Sequence, residues 1–264
     1  MPAYFKIRTL ALSLATVVLS LVVGCQSASN AGKSESIPKD ENTLRIGITA
    51  NMPPFVFEQN GELLGMEIDF ARALGQELAL EPRFVRMNWE RLIPALQRGE
   101  IDIIMAGMNY TPERAAVIFL SNPYVRSGQR AMVLRKNASK YTFPGQIANA
   151  NVRMGAERGT TGEFLVESRF PNATLRTYSS AEEGAKAVIN ERIELFIHDA
   201  PTVLWMAGTY QNEGLTVALP VLTEDLMVWG VSRQSPALLS AVNTALRKWA
   251  QDGTTNAILN RWVN

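Results

Sequence analysis

An arginine and an aspartate in separate parts of the chain have side chains that can bind a small charged molecule. Arg114 lies in the segment Thr111-Pro112-Glu113-Arg114, where Thr111 is a good N-cap and Pro112 suits the first helical position. The helix dipole disfavours a cation at this end, so Arg114 is a candidate for binding a carboxylate near the same free N–H groups. The alternative is a surface arginine paired with Glu113 or Glu90.

Asp199 follows the apolar run 193–197 and His198, and Pro201 then suits the first turn of a helix. The carboxyl ends of strands in open α/β sheets face the ligand crevice, so Asp199 can bind an ammonium group there. It can equally serve as the N-cap of the helix. For His198 a structural imidazole is favoured over a catalytic base, because no Gly-x-Ser-x-Gly motif supplies a nucleophile.

Gly159-Thr-Thr-Gly162 lies between a predicted strand and a predicted helix, so its amides and hydroxyls can bind an anion of modest charge. The chain lacks both a following Lys-Ser or Lys-Thr and a Gly-x-Gly-x-x-Gly motif, so nucleotide binding is not expected. A plain turn with a capping threonine is the alternative. Trp89 and Met52 can offer apolar surface to a ligand, although core packing is the default role of such residues.

The composition is that of a globular protein of 264 residues, with 47% hydrophobic and 19% charged residues, which excludes collagen-like and coiled-coil chains. Lys and Arg number 26 against 25 Asp and Glu, so we expect no nucleic-acid partner. One Cys and one His permit neither an intramolecular disulfide nor a Cys/His metal cluster. We therefore expect no metal site and no cofactor.

The N-terminus has the pattern of a signal peptide, predicted over residues 1–24. Lys6 and Arg8 precede an apolar run at 9–23, which is too short for a permanent membrane anchor. The sequence Val22-Val-Gly-Cys25 resembles a bacterial lipobox, in which the cysteine carries fatty acyl chains such as palmitate. An ordinary cleavage site with an incidental cysteine is the alternative. The polar stretch that follows predicts a flexible tether over 25–42, so the protein is expected outside the cytoplasm and anchored to a membrane by lipid.

From residue 44 onwards, short β-like runs alternate with helical ones, which predicts an α/β fold with mostly parallel sheets. Strands are predicted at 44–49, 101–106, 152–156 and 193–197. Helices are predicted at 66–80, 90–97, 161–169, 181–190 and 236–251. Two long extended segments, 128–134 and 215–231, indicate two chain crossings between two α/β units.

Several motifs taken together resemble the bacterial extracellular solute-binding proteins of family 3, the polar amino-acid class. They are Met66-Glu-Ile-Asp-Phe70, Trp89-Glu-Arg-Leu-Ile-Pro-Ala-Leu96, Gly99-Glu-Ile-Asp-Ile-Ile-Met-Ala-Gly107, Thr111-Pro-Glu-Arg114, Ser121-Asn-Pro-Tyr124, Gly159-Thr-Thr-Gly-Glu163 and His198-Asp-Ala-Pro201. The similarity is to glutamine- and lysine/arginine/ornithine-binding members. It implies a two-lobed, periplasmic-binding-protein-like (type II) flytrap with two hinge crossings, in which 43–127 and 225–264 form lobe 1 and 128–224 form lobe 2.

The same resemblance implies roles for individual residues. Arg114 corresponds to the clamp on the ligand's α-carboxylate, aided by Asn109 and by the amides of Thr160 and Thr161. These roles agree with the interpretation made from the residue types alone, in which Arg114 binds a carboxylate and the turn at 159–162 binds an anion.

Asp199 corresponds to the partner of the α-ammonium group, and Gly107 offers it a carbonyl oxygen. Trp89 matches the aromatic wall beside the ligand, and Glu157 falls where residues contact the ligand's side chain. Two positions depart from the family pattern. Met52 stands where relatives usually have an aromatic residue, and Thr49 where some have an aspartate.

The resemblance therefore implies a monomeric binding protein, not an enzyme, which holds a small amino acid or similar zwitterion and delivers it to an ABC transporter permease. The first alternative is an enzyme of the prephenate/arogenate dehydratase kind on the same fold, with His198 or Glu157 as its acid. The second is a ligand-binding partner of a membrane sensor.

Overall fold

Two β-sheets covered by helices form the framework of the protein, whose computed structural model describes residues 41–263. The predicted signal peptide, the predicted lipid attachment at Cys25 and the part of the predicted tether up to residue 40 lie outside the described residues.

The described strands and helices, labelled in chain order, account for both sheets and their covering layers. The strands are β1 Thr43–Ile48, β2 Asn51–Met52, β3 Val56–Gln59, β4 Glu62–Leu64, β5 Glu81–Arg86, β6 Ile103–Ile104, β7 Phe119–Leu120, β8 Val125–Ser127, β9 Gln129–Leu134, β10 Arg153–Glu157, β11 Thr174–Tyr178, β12 Leu195–Asp199, β13 Leu215–Val217, β14 Asp225–Met227 and β15 Gly230–Val231. The α-helices are α1 Met66–Leu78, α2 Leu92–Gln97, α3 Pro112–Val117, α4 Pro144–Ala148, α5 Thr161–Arg169, α6 Ala181–Ile189, α7 Ala200–Thr209, α8 Pro236–Asp252 and α9 Thr254–Val263. Short 3₁₀ helices lie at Trp89–Arg91, Arg135–Lys140 and Gln211–Glu213.

The two sheets define two lobes and give the molecule a mixed α/β fold. Lobe 1 surrounds a sheet of order β5-β1-β6-β15-β7, in which β1 is parallel to β5 and β6 and β15 is antiparallel. Lobe 2 surrounds a sheet of order β11-β10-β12-β9-β13, in which β10 is parallel to β11 and β12 and β9 is antiparallel to β12. In each lobe the parallel core therefore places the carboxyl ends of its strands at one edge.

The core of lobe 1 is dominated by aromatic rings. Phe70 of α1 lies edge-on to Tyr124 and Trp229, with ring centroids 5.3 and 5.6 Å apart, and it also contacts Trp249 of α8. Ring contacts of this geometry add to the free energy gained from burying the apolar area itself. They pack the inner face of α1 against α8 and against Trp229, the residue that precedes β15.

In lobe 2 the central strand β12 is buried along its whole length. Helices cover both faces of this sheet. The side chains on both faces of β12 are therefore buried, which explains why the strand is a nearly continuous apolar run. Gly184 of α6 lies directly against the Phe196 ring of β12, where a Cβ atom would overlap that ring. The glycine is required by this close approach of helix to strand.

Both chain crossings between the lobes lie in one two-stranded ribbon. β8 and β14 pair antiparallel, with Arg126 opposite Leu226. Gly128 follows β8, and a Cβ atom there would collide with the carbonyl of Thr223. The Gln129 amide donates to Thr223 Oγ1 at 2.8 Å, which ties the first crossing to the second.

The observed elements differ from the predicted ones mainly at their ends. The strand predicted at 193–197 is shifted to Leu195–Asp199, because its ladder with β9 runs through Asp199. The strand predicted at 101–106 is reduced to Ile103–Ile104, the part that pairs with β1 and β15. Helix α1 stops at Leu78, because Ala79 takes the left-handed conformation (φ 53°).

Among residues 41–263, no helix combines the length and the apolar character that crossing a membrane requires. Within this same range, no three His, Cys, Asp or Glu side chains are grouped so that they could bind a metal ion.

Candidate ligand-binding site

Arg114 is held at the start of the short helix α3. Thr111 is the N-cap, and its Oγ1 accepts a hydrogen bond from the Arg114 backbone N–H. The guanidinium donates from Nη1 to the carbonyl of Asn109 at 2.8 Å and lies 5.1 Å from the centre of the Trp89 ring. Within the described chain the ion-pair partner of Glu90 is Arg158, so Arg114 is oriented by the indole and a carbonyl instead.

Asp199 is the last residue of β12 and precedes helix α7. Its side chain makes no capping hydrogen bond to the helix. Its Oδ1 instead accepts from Asn109 Nδ2 at 2.6 Å and from Gln129 Nε2 at 2.7 Å. Asp199 is 5% exposed, and its Oδ2 lies 3.6 Å from His198 Nδ1.

Eight of the ten ligand-binding residues predicted from the sequence line one small cavity between the lobes. They are Met52, Trp89, Gly107, Asn109, Arg114, Thr160, Thr161 and Asp199. Its volume of about 10 Å³ is room for roughly one water molecule. In this arrangement of the lobes the cavity is therefore too small for a molecule larger than water.

Hydrogen bonds from lobe 1 to lobe 2 surround this cavity. Trp89 Nε1 donates to the Gly159 carbonyl at 2.8 Å, and Arg114 Nη2 donates to the same oxygen at 3.4 Å. Asn109 Nδ2 donates to Thr161 Oγ1 at 2.9 Å as well as to Asp199. Opening the lobes breaks these bonds, and the groups that made them then become available to a ligand.

The turn before α5 is held by its own hydrogen bonds. Thr160 is the N-cap, and its Oγ1 accepts from the Glu163 N–H. Glu163 Oε2 in turn accepts from the Gly159 N–H at 2.6 Å, which completes a reciprocal cap. The helix N-terminus thus presents Thr160 and Thr161 to the cavity in a fixed geometry.

Burial shifts the pKa of both charged residues in the cavity. It raises the pKa of Asp199 above its ordinary value, which His198 and the Asn109 and Gln129 amides offset only in part. Burial also lowers the pKa of Arg114, and the largest opposing effect is the charge of Asp199. The cavity therefore holds an acid and a base whose charged forms are both disfavoured by burial.

Glu157 and Thr49, the other two predicted ligand-binding residues, lie outside the cavity lining. Glu157 is buried at the end of β10, with Oε2 3.2 Å from His198 Nε2. The Asp199 N–H donates to His198 Nδ1 at 2.8 Å, so the ring proton lies on Nε2, facing Glu157. Thr49 Oγ1 donates to the Met87 carbonyl at 3.3 Å.

The two neighbouring carboxylates also affect the titration of His198. Burial lowers the pKa of this imidazole, but Glu157 and Asp199 together raise it above its ordinary value. His198 is thus a buried, hydrogen-bonded side chain that connects the end of β10 to Asp199.

Residues 44–264 match the family model of the bacterial extracellular solute-binding proteins, family 3. The chain belongs to this family. The family and the two-lobed fold expected from the sequence motifs are both confirmed.

Amino-acid-binding proteins are among the relatives of this family member. ABC transporter arginine-binding protein 1 of Escherichia coli (strain K12) is 30% identical over 226 residues, covering 83% of this chain and 90% of that protein. An ancestral amino acid-binding protein, a precursor of cyclohexadienyl dehydratase, is 32% identical with a TM-score of 0.77, over 84% of this chain and 96% of that one. An ancestral arginine-binding protein bound to arginine is 28% identical with a TM-score of 0.79, over 84% and 99% of the two chains.

Two residues at the crossings of this solute-binding protein reach the site although sequence reasoning did not single them out. Gln129 Nε2 donates to Asp199 Oδ1, to Thr161 Oγ1 at 3.0 Å and to Asp225 Oδ2 at 3.2 Å. One signal was available, since Gln129 is a polar residue directly after Gly128, at the start of a strand whose last four residues are apolar. Asp225, the first residue of β14, gave no comparable signal, because its link to the site runs through Gln129, which is distant in sequence.

Proposed function

We propose that this protein binds the zwitterionic end of an amino acid between its lobes, with Arg114 on the α-carboxylate and Asp199 on the α-ammonium group. The observation that carries this proposal is that the guanidinium belongs to lobe 1, the carboxylate belongs to lobe 2, and both line one cavity. A zwitterion contacts both groups only when the lobes close on it. Each charge-assisted hydrogen bond contributes about 1.5–3 kcal/mol, enough to shift a hinge equilibrium towards closure.

Two orphan acceptors support an ammonium group as the ligand at Asp199. Asn109 Oδ1 and Gln129 Oε1 are buried and lack a hydrogen-bond partner within the described chain. Their amide nitrogens bond the same Asp199 oxygen, and Asn109 lines the cavity. An ammonium group brings three N–H donors, which suit this set of acceptors.

Arginine is the first ligand to test. The relatives described above include proteins that bind arginine. In this chain the surroundings of the cavity hold more acids than bases, because Asp225 and Glu157 lie near Asp199 while Arg114 is the base in the lining. A ligand with an additional positive charge complements that excess.

Calorimetric titration of the protein with arginine, and then with glutamine, tests the proposal. Wild-type protein is expected to bind at least one of them, and Arg114→Ala is expected to weaken binding about tenfold or more, since it removes a charge-assisted contact. Arg98→Ala is the matched control, because Arg98 is an exposed lobe 1 arginine that pairs with Glu100. Equal affinities of the Arg114→Ala variant and the wild type would contradict the assignment.

We further propose that the protein is a monomeric lipoprotein that delivers its ligand to an ABC transporter permease. The lipobox-like sequence at Cys25 supports the anchor, and the arginine-binding relative of an ABC transporter supports the permease. Labelling cells with radioactive palmitate should label the wild-type protein and leave Cys25→Ser unlabelled. Equal labelling of both would rule out this anchor.

We infer that the protein is not an enzyme. Its similarity to a precursor of cyclohexadienyl dehydratase makes a dehydratase the alternative to test. The candidate acids Glu157 and His198 bond each other outside the cavity lining, which does not favour proton donation to a bound substrate. Incubation with prephenate should show no turnover above the uncatalysed rate, and turnover lost in Glu157→Gln would establish the enzyme instead.

A further inference from the structure

Glu67 is a carboxyl group in the interior of lobe 1, at the start of α1, and it is fully buried. Its Oε1 accepts from the Gly107 N–H and from the Tyr124 hydroxyl, both at 2.7 Å. Its Oε2 accepts from Trp229 Nε1 at 2.8 Å. Glu67 is not in the cavity lining, but its partner Gly107 is.

Gly107 depends on this contact for its position. Its φ of 69° lies in the left-handed region, and its Cα packs on the ring of Phe55, where a Cβ atom would approach within 2.9 Å. The Glu67 backbone N–H donates to the Phe55 carbonyl at 3.0 Å, so one residue holds both sides of the turn. The turn leads directly to Asn109.

Within residues 41–263, no cation pairs with the buried Glu67 carboxyl. Tyr124 is the titratable group that contacts Glu67, and it is itself buried. Asp69, two residues along the same helix, pairs with Arg261 at 2.8 Å. From lobe 2, Asp199 is close enough for its charge to raise the pKa of Tyr124.

The three donors around Glu67 are arranged for its ionised form. The Gly107 N–H and the Trp229 indole N–H can only donate, so a proton on Glu67 has Tyr124 Oη as its acceptor. Protonation would therefore reverse the Tyr124 hydrogen bond. The three hydrogen bonds favour the ionised form of Glu67, whereas burial favours the protonated form. Burial is the larger effect and raises the pKa of Glu67 to about 7, so the ionised and protonated forms are both populated near neutral pH.

We propose that Glu67 is a positioning residue whose ionised form holds the Gly107 turn for ligand binding, so that binding of an amino acid releases a proton from Glu67. This inference rests on the proposed function and adds a regulation of the same site by pH. An ammonium group in the cavity that Gly107 lines attracts the negative charge of Glu67 behind that turn, in a medium of low dielectric constant. By linkage, a ligand that prefers ionised Glu67 binds more tightly as pH rises through neutrality.

The test is calorimetric titration with arginine at about pH 7 in buffers of different ionisation enthalpy, which counts the protons exchanged per ligand bound. Wild-type protein is expected to release about half a proton, since a group with a pKa near the ambient pH is half protonated. Glu67→Gln should abolish that part of the release and remove the rise in affinity between about pH 6 and about pH 8. Tyr124→Phe is the matched control, because it removes one donor but keeps the carboxyl group, so proton release should persist.

Asp199 and His198 also titrate near the ligand, so the decisive quantity is the difference between wild type and Glu67→Gln. An unchanged proton count in a Glu67→Gln variant that still binds arginine would overturn the role of Glu67 and leave the proposed function intact. Failure of the wild type to bind any amino acid would overturn both.

A measurement on the wild type covers the case in which Glu67→Gln does not fold. Infrared spectra of protein with isotope-labelled glutamate carboxyl groups should show a protonated glutamate near neutral pH whose band decreases on ligand binding. Persistence of that band in the liganded protein would overturn the inference.

Discussion

At the scale of single residues, the site is defined by charges that the fold desolvates without pairing them. The Asp199 carboxylate has amide partners from Asn109 and Gln129 and no guanidinium or ammonium partner in the described chain. Amide donors stabilise a carboxylate less than an opposite charge does, so the buried charge retains an unmet interaction energy. In the function proposed above, the ligand's ammonium group supplies that missing interaction.

Replacing Asp199 by asparagine should therefore separate binding from stability. We expect Asp199→Asn to weaken amino-acid binding about tenfold or more, while the free energy of unfolding near neutral pH stays level or increases, because burial opposes the native charge. Calorimetry and thermal unfolding of the same preparation measure the two effects. A large loss of thermal stability would show that Asp199 serves mainly to stabilise the fold.

The sequence indicated which residues line the cavity better than it indicated which groups those residues bond to. Arg114 lies at the start of a helix and Asp199 at the end of a strand. At these positions the helix dipole and the strand topology indicate that a charged side chain can bind a ligand. Gln129 and Glu67 became visible only in three dimensions, since their partners are distant in sequence: Gln129 bonds Asp199 and Glu67 bonds Trp229. Sequence spacing carries no information about such contacts.

At the scale of elements, helix and strand types followed from periodicity, whereas their ends depended on pairing. Helix α5, Thr161–Arg169, has the bounds predicted for it, because Thr160 provides a side-chain cap at a fixed position. Strand β6 keeps only Ile103–Ile104, although the apolar run is longer. Asp102 and Met105, which flank this strand, each donate a backbone hydrogen bond to β1, at the carbonyls of Arg45 and Gly47, but the paired strand itself is two residues long. Hydrophobicity alone does not indicate where regular pairing stops.

The space around two helical glycines, Gly184 and Gly208, predicts opposite effects on stability when each is replaced by alanine. Gly184→Ala should destabilise the protein by about 1–3 kcal/mol, because the new methyl group overlaps the Phe196 ring in the core of lobe 2. Gly208→Ala in α7 should stabilise it by about 0.5–1 kcal/mol, because no atom lies within 4 Å of the added group and alanine favours the helix. Denaturant unfolding of both variants measures these changes. Equal destabilisation would contradict the packing described for Gly184.

At the scale of the whole molecule, the unpaired acids make folding stability depend on pH. The pKa of Glu67 is raised from 4.5 to about 7, so between these values the folded protein binds more protons than the unfolded chain. Stability from this group therefore falls as pH rises across that window, by about 3 kcal/mol in total. The raised pKa values of Asp199 and His198 act in the same direction.

Comparison of wild type with Glu67→Gln isolates the contribution of Glu67. Between about pH 5 and about pH 8 the wild type should lose roughly 3 kcal/mol more unfolding free energy than the variant does. Urea denaturation at the two pH values measures the difference, and the contributions of the other groups cancel. Parallel pH profiles would show that Glu67 is ionised throughout this range.

The pairing of β8 with β14 has a consequence for how such a molecule diversifies. Because Arg126 and Leu226 lie opposite each other, the chain leaves lobe 1 and returns to it at adjacent points. The segment between β8 and β14 is therefore an insertion into lobe 1, and its two ends are held side by side by the pairing of these strands. Exchanging this inserted segment between homologues requires only two junctions, which are neighbours in space. Recombination can therefore replace lobe 2 while lobe 1 is inherited unchanged.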